Sequence, residues 1–293
     1  MGIVDDLKLQ YKSGGIAMQL IFWNIGLAVI YFLIEAFSKT AIAEINYWLL
    51  LSSSPSELIF KPWTLLSYAF FHGGLMHLLF NLLILNFSAR LFLTFFTQKQ
   101  FLGLYLLAAI FSGLIFVLTY FFFGNAGVLI GASGAIMAVL VAAATYAPLY
   151  QLRLLLIGNV KLWHIAAVFL LLDLIQLPAN NMGGHIAHLG GAFFGFLFIK
   201  LLKNGTDLSL AVTNTINFFT AILKPKKGTP FKKVHKNPIQ PQQKSAGKIV
   251  VKNKTQQQID EILDKISQSG YDSLTKEEKE FLLQALYREQ KSR

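Results

Sequence analysis

No cysteine occurs among the 293 residues, so disulfides, thiol catalysis and cysteine-held metals are excluded and any nucleophile must be an oxygen. Charge is scarce as well. Only 14% of the residues are Asp, Glu, Lys or Arg, against 54% hydrophobic, and the mean hydropathy of +0.52 is too high for an ordinary soluble domain. The composition is that of a membrane protein. Residues 1–203 hold 6 Asp/Glu and 10 Lys/Arg, whereas residues 204–293 hold 9 and 16, so an apolar core is followed by a soluble basic tail.

Apolar runs long enough to cross a bilayer lie near residues 16–37, 75–97, 101–123, 128–148, 162–177 and 186–202. The expected fold is therefore an all-α membrane bundle of six helices. Its last three runs are near or below the roughly 20 residues that a bilayer core needs, so some should begin beneath the surface, where water reaches their ends. The first run is too long for the apolar part of a secretory signal and follows Asp5 and Asp6. Although Ala41-Ile42-Ala43 resembles a cleavage site, the run is expected to be retained. Lys8, Lys12, Arg90, Lys99, Arg153, Lys161, Lys200 and Lys203 all fall on one side of such a bundle, with Lys39 and Lys61 opposite, which predicts that both termini are cytoplasmic. The first outer loop, residues 38–74, mixes Trp48, Phe60 and Trp63 with Ser52, Pro55 and Pro62, a composition suited to lying in the interface.

Spans two, four and six then start from the outer face, and each opens with a polar motif: HGGLMHLLFN at residues 72–81, GASGA at 131–135 and AHLGGAFFG at 187–195. This spacing sets His77, Asn81, Ser133 and His188 in one layer of the outer leaflet. A serine among small residues is either helix-packing filler, the commoner explanation for such a motif alone, or a nucleophile. The two readings are compatible. Gly134, Ala138 and Ala142 recur every four residues, as do Gly191 and Gly195, and two such stripes let helix backbones nearly touch, which would bring Ser133 within hydrogen-bond reach of His188.

Histidine inside a span is expensive and tends to mark function. His77 and Asn81 lie one turn apart and share a helix face, where an imidazole N–H and an amide NH2 can donate to one oxygen as an oxyanion hole requires. Interhelical hydrogen bonding is the plain alternative for Asn81. His72 and His185 read as helix caps or partners of loop carbonyls. Asp173, the only carboxylate in the four C-terminal spans, is expected to make a local structural hydrogen bond, leaving a Ser–His dyad.

The three motifs, in this order and spacing, resemble those of rhomboid intramembrane serine proteases: HGGLMHLLFN fits their HxxxxHxxxN pattern, GASGA their GxSG and AHLGGAFFG their AHxxGxxxG. The resemblance implies a six-span rhomboid-like core and a serine endopeptidase that cuts transmembrane helices near the outer leaflet. It implies Ser133 as nucleophile and His188, the histidine followed by Gly191 and Gly195, as general base. His77 and Asn81, with the Ser133 N–H, would hold the oxyanion; Gly131, Gly134, Gly191 and Gly195 would shape the site; His72 would be structural. No metal or cofactor is implied. Substrates would be single-pass transmembrane proteins with helix-weakening residues near the cut, admitted beside span five and the loop before span six. Two positions depart from the pattern: Met137 stands where some rhomboids have tyrosine, and Trp63-Thr64 where Trp-Arg is frequent.

Ten lysines and no acid lie between Lys224 and Lys254, among Pro225, Pro230, Pro238 and Pro241. This reads as a disordered basic linker drawn to anionic lipid at about 1 kcal/mol per nearby Lys, with no nucleic acid expected. Residues 208–223 suit a short interfacial helix. Ile259, Ile262, Leu263 and Ile266 recur at helical spacing, Gly270 stops that helix, and Thr275 with Glu278 starts another carrying Phe281, Leu282 and Leu286. The expected plan is a core at 1–203, an interfacial segment and linker at 204–254 and a helical hairpin at 255–293, which resembles appendages of some bacterial rhomboids; the membrane is expected to be a bacterial cytoplasmic one. Two alternatives remain at this point. One is a catalytically inactive rhomboid-like protein that binds transmembrane clients. The other is a transporter metal site at His72, His77, His185 and His188, which gives GASGA and Asn81 no role.

Overall fold

The computed structural model describes residues 2–124, 126–154, 157–178, 181–223 and 254–291. The described chain is mostly helical and divides into two compact units, residues 1–227 and 228–293. The basic linker expected between Lys224 and Lys254 lies almost wholly outside the described residues.

The first unit opens with α1 (Ile3–Ser13), α2 (Gly15–Phe37) and α3 (Lys39–Leu49). Strand β1 (Leu51–Ser52), α4 (Pro55–Phe60), α5 (Thr64–Ser67) and a 3-10 turn at Tyr68–Phe70 follow. Then come α6 (Leu75–Phe95), α7 (Gln98–Phe123), β2 (Val128–Leu129) and α8 (Ser133–Tyr146). A hairpin of β3 (Gln151–Leu154) and β4 (Gly158–Lys161) leads to α9 (Leu162–Gln176), α10 (Met182–Lys203) and α11 (Ser209–Leu223). Among the described residues α2, α6, α7 and α10 are long and apolar enough to cross a membrane. The apolar helices α8 and α9 have only 14 and 15 residues; at about 1.5 Å per residue they fall well short of a hydrocarbon core roughly 30 Å thick.

Helix α8 is the centre of the unit. Every residue from Gly134 to Ala144 is buried, as expected of a helix that is apolar on all sides, and α6, α7 and α10 pack around it. The tightest seam is with α10. A Cβ added at Gly191 would run into the carbonyl oxygen of Gly134, and one at Gly195 into that of Ala138, so the two backbones are in contact along the seam. Local signals fix the ends of the neighbouring helices. At the start of α7, Thr97 and Gln100 form a reciprocal capping box with bonds of 3.0 and 3.2 Å, and Gly124 ends the helix at φ +70°.

The segment 38–74 is more regular than its mixed composition suggested. It is built of short helices whose apolar residues, among them Ile42, Leu50, Leu58, Leu65 and Leu66, pack into the core, and polar contacts join its turns. The buried Lys61 ammonium donates to the Tyr47 carbonyl at 2.9 Å and to Glu57 at 2.5 Å and lies 3.5 Å over the Tyr47 ring. The Trp63 indole N–H donates to the Trp48 carbonyl at 2.8 Å, and the two indoles stack. Thr64, where an arginine was noted as frequent, is buried and donates its hydroxyl to the Lys61 carbonyl. Strand β1 pairs antiparallel with β2, Leu51 opposite Leu129, so this segment also holds the strand that leads into Gly131.

In the second unit, α12 (Lys254–Ser269) and α13 (Lys276–Lys291) flank a 3-10 turn at Tyr271–Ser273. Gly270 takes φ +78°, Ile262 and Leu274 are buried, and the Thr275–Glu278 capping box expected from the sequence is present, with bonds of 2.7 and 3.3 Å. The Leu286 side chain lies outside the described part.

Candidate active site

Ser133 is the first residue of α8, where amide N–H groups have no intrahelical acceptor and the helix dipole is positive. The turn before it depends on Gly131, whose φ of +117° is a conformation only glycine adopts without strain. Its N–H donates to the Tyr68 carbonyl at 3.0 Å. Its missing side chain leaves room for His77, since a Cβ at 131 would lie 2.7 Å from the His77 Cε1 and 2.8 Å from Nε2.

Across the glycine seam, Ser133 Oγ lies 2.5 Å from His188 Nε2. His188 stands in the second turn of α10, and the seam sets the distance. His77 and Asn81 share a face of α6. The Gly73 N–H donates to His77 Nδ1 at 3.4 Å, so the neutral ring carries its proton on Nε2, the nitrogen beside Gly131 and the serine turn. Asn81 gives one N–H to the His77 carbonyl at 2.8 Å and keeps a second donor. Ser133, His188, His77 and Asn81 all line one cleft of about 300 Å³, together with Met137 and the α9 residues Phe169, Leu172, Asp173 and Gln176.

Asp173 departs from the sequence expectation. Its Oδ1 accepts from Nδ1 of His188 and from Nδ1 of His185, each at 2.8 Å. The serine and histidine are thus continued by a buried carboxylate, which was expected to bond only within its own surroundings. Among the described residues the His185 ring likewise caps no helix and bonds no loop carbonyl; its partner is Asp173. The cause is the start of α10, four residues earlier than the apolar run indicated, because Asn181 Oδ1 accepts from the Gly184 N–H at 3.2 Å and caps the helix there. His185 and His188 then lie one turn apart on a regular helix and face α9 together.

His72 is fully buried and packs edge-on against His77, ring centroids 5.3 Å apart. It is not bonded to a loop carbonyl, and among the described residues neither ring nitrogen has a protein partner. Burial, with His77 as the smaller cause, holds this imidazole down to about 4, so it is neutral at physiological pH. The ligand atoms of Asp173, His185 and His188 all lie within 4.8 Å of one another, the one such group among the described residues. Ligands about 2.1 Å from a tetrahedral ion stand roughly 3.3 Å apart, so carboxylate–imidazole contacts of 2.8 Å are those of direct N–H···O bonds.

Fold and site together define a helical membrane protein with a serine–histidine pair sunk among its helices. Residues 60–204 match the Rhomboid domain, and residues 250–285 match a family of unknown function, DUF6576. The chain is 30% identical over 155 residues to the mitochondrial presenilin-associated rhomboid-like proteins of Bos taurus and of Homo sapiens. It is also 30% identical over 134 residues to the mitochondrial presenilin-associated rhomboid-like protein A of Danio rerio. These stretches cover 50, 50 and 45% of this chain and 40, 39 and 35% of the relatives, so the chain spans less than half their length. Through residues 60–204 the chain belongs to the rhomboid family.

Proposed function

We propose that the chain is an intramembrane serine endopeptidase that cleaves transmembrane helices of membrane-protein substrates. The observation that carries this reading is the 2.5 Å contact between Ser133 Oγ and His188 Nε2 in a cleft that also holds the donors His77 and Asn81. His188 Nε2 takes the Ser133 proton as Oγ attacks a peptide carbonyl carbon, and the oxyanion is stabilised by Asn81, His77 and the Ser133 N–H. His188 then gives the proton to the leaving amine as the C–N bond breaks. A water, deprotonated by His188, hydrolyses the acyl ester and restores the Ser133 hydroxyl. A substrate helix has every backbone bond satisfied and must unwind at the cut, which favours substrates with helix-weakening residues there. The cleft-lining face of α9 is the side on which we place lateral access.

In the same reading α2, α6, α7, α8, α9 and α10 are six spans with both termini cytoplasmic, as the distribution of Lys and Arg supports. The charge of the lysine-rich linker favours attraction to anionic lipid. The membrane is a bacterial cytoplasmic one; the mitochondrial names belong to the relatives.

The test is cleavage of a transmembrane reporter by the purified full chain, comparing wild type with Ser133→Ala and His188→Ala, with and without a chelator. Wild type should cleave in both conditions, and each variant should lose at least about 10³-fold in kcat. Cleavage by both variants would remove the protease reading in favour of a client-binding protein, and cleavage stopped only by the chelator would favour a metal site.

A further inference from the structure

Asp173 sits in the last turn of α9, a poor place for a carboxylate on helix grounds alone. The carbonyl end of a helix is its negative end, and nothing basic stands in the last turn of α9. The carboxylate is also buried, and a buried charge persists only where hydrogen bonds compensate it. Those bonds come from two imidazoles of one helix, both reaching the same oxygen at 2.8 Å.

For His188 this contact decides which nitrogen is the base. With Nδ1–H donated to Asp173, the neutral ring presents its lone pair on Nε2, the atom that faces Ser133 Oγ. Without it the ring is free to carry the proton on Nε2, where it cannot accept one from serine, or to turn away. Met137, an α8 side chain in the same cleft, offers only a thioether, too weak an acceptor to hold an N–H. A single acceptor in one bond would still let the carboxylate swing about its χ angles. His185 supplies the second donor to the same oxygen, and the regular turn between positions 185 and 188 fixes the two donors relative to each other.

We propose, resting on the protease reading above, that Asp173 is a positioning residue that sets the tautomer and orientation of His188 and steadies its imidazolium, and that His185 anchors the Asp173 carboxylate. The proton stays on His188 when it is taken from Ser133: the O–H bond of the serine breaks, the Nε2–H bond forms, and the Nδ1–H bond to Asp173 is kept. The carboxylate is a counter-charge and is not itself protonated.

The test uses the detergent-purified full chain and a transmembrane reporter, with kcat and KM measured across pH. Asp173→Asn should lower kcat by roughly 10³-fold or more while KM changes less than about threefold. The titratable groups facing His188 are Asp173 on α9, His185 on α10 and His77 on α6; only loss of the Asp173 charge removes the counter-ion, so the acid limb of kcat/KM should move to lower pH in Asp173→Asn. His185→Ala should lose about tenfold in kcat, and His185→Asn, which keeps an N–H near the position of Nδ1, should recover most of that loss. In protein carrying ¹⁵N-labelled histidine, the His188 Nδ1–H proton should resonate far downfield in wild type and in Ser133→Ala, and should move upfield in Asp173→Asn.

Asp173→Asn turnover within threefold of wild type, or an unmoved acid limb, would overturn the proposal, as would a wild-type spectrum with no downfield Nδ1–H. The spectrum decides the matter even if a variant at 173 fails to fold. If wild type shows no Ser133-dependent cleavage, the protease reading itself fails and the catalytic role of Asp173 goes with it. If Ser133-dependent cleavage is intact and Asp173→Asn equals it, the protease reading stands and the positioning role alone is lost.

Discussion

The α-carbon of Gly191 faces the carbonyl oxygen of Gly134 so closely that a β-carbon at 191 would overlap it. The obstacle is backbone, which cannot rotate away as a side chain can. Gly191→Ala should therefore push α10 off α8 and destabilise the protein by about 1–3 kcal/mol or more. Because His188 rides on α10, serine-directed labelling of Ser133 should fall with it. At Gly190 the atoms nearest to a Cβ belong to the Ile115 side chain, at 3.0 to 3.1 Å, and Gly190→Ala should cost clearly less. Gly26 on α2 has no atom within 4 Å of such a Cβ, so Gly26→Ala should be neutral or stabilising by up to ~1 kcal/mol. Thermal unfolding in detergent ranks the three; equal midpoints for Gly191→Ala and Gly190→Ala would remove the close-contact explanation.

Gly131 links backbone strain to the donor beside it. Alanine there would have to adopt φ +117° and would strike the His77 ring. Losing one oxyanion donor typically lowers kcat by about 10²–10³-fold, and Gly131→Ala should fall in that range on the transmembrane reporter. Asn81→Ala, which removes the other side-chain donor while leaving the turn intact, should give a loss of similar size with little change in unfolding temperature. Near-wild-type turnover in both would mean that the oxyanion lies elsewhere.

Lys61 is the polar centre of the segment between α2 and α6. Lys61→Met keeps the aliphatic length but removes the bond to the Tyr47 carbonyl and the cation over the Tyr47 ring. Leaving that carbonyl short of a donor costs about 1–3 kcal/mol, and the loss should be local: amides of α3 and α4 should exchange faster while those of α8 keep their protection. Glu57 is 39% exposed at its side chain, and an exposed ion pair contributes roughly 0–1 kcal/mol, so Glu57→Gln should exchange nearly as wild type does. Equal loosening by the two substitutions would show that the ion pair, not the buried carbonyl bond, holds the segment.

The apolar runs, the small-residue stripes and the three polar motifs were legible because each is a local pattern whose geometry is set by 3.6 residues per turn. Ser133 and His188 could be paired in advance for the same reason, since Gly134 and Gly191 announce where two backbones meet. Asp173 could not. Its link to His188 depends on how α9 is rotated, which tertiary packing decides, and on where α10 begins, which the Asn181 cap settles in a stretch with no periodicity of its own. The signal that was available is the pair His185 and His188 at helical spacing, opposite the lone carboxylate of the preceding apolar run. The helices of segment 38–74 were hidden differently: α4 and α5 have six and four residues, too few for a helical period to show in the sequence, although Leu58, Leu65 and Leu66 pack against the core. The β3–β4 hairpin has strands of four residues; Gln151–Leu154 alternates polar with apolar residues, but over too short a stretch to stand out beside the apolar runs.

The C-terminal hairpin carries a pH dependence that one residue should account for. The Lys265 ammonium, bonded to both Glu278 oxygens at 2.8 and 3.0 Å, holds that carboxyl below its ordinary value of 4.5, and the Thr275 N–H adds to the effect. A carboxyl whose folded pKa is depressed stabilises the fold fully above its ordinary value, and that contribution is lost as pH falls through the folded value. The first-turn amides of α13 should therefore lose protection on acidification below 4.5, after correction for intrinsic exchange rates. Glu278→Gln, which cannot titrate, should show weaker protection at neutral pH and no further loss over the same acid range. Lys265→Met should reduce the acid dependence without abolishing it, because the Thr275 bond remains. Hydrogen exchange on the full chain measures all three, and an acid loss in Glu278→Gln equal to that of wild type would assign the dependence to another carboxyl of α13, such as Glu277 in its first turn.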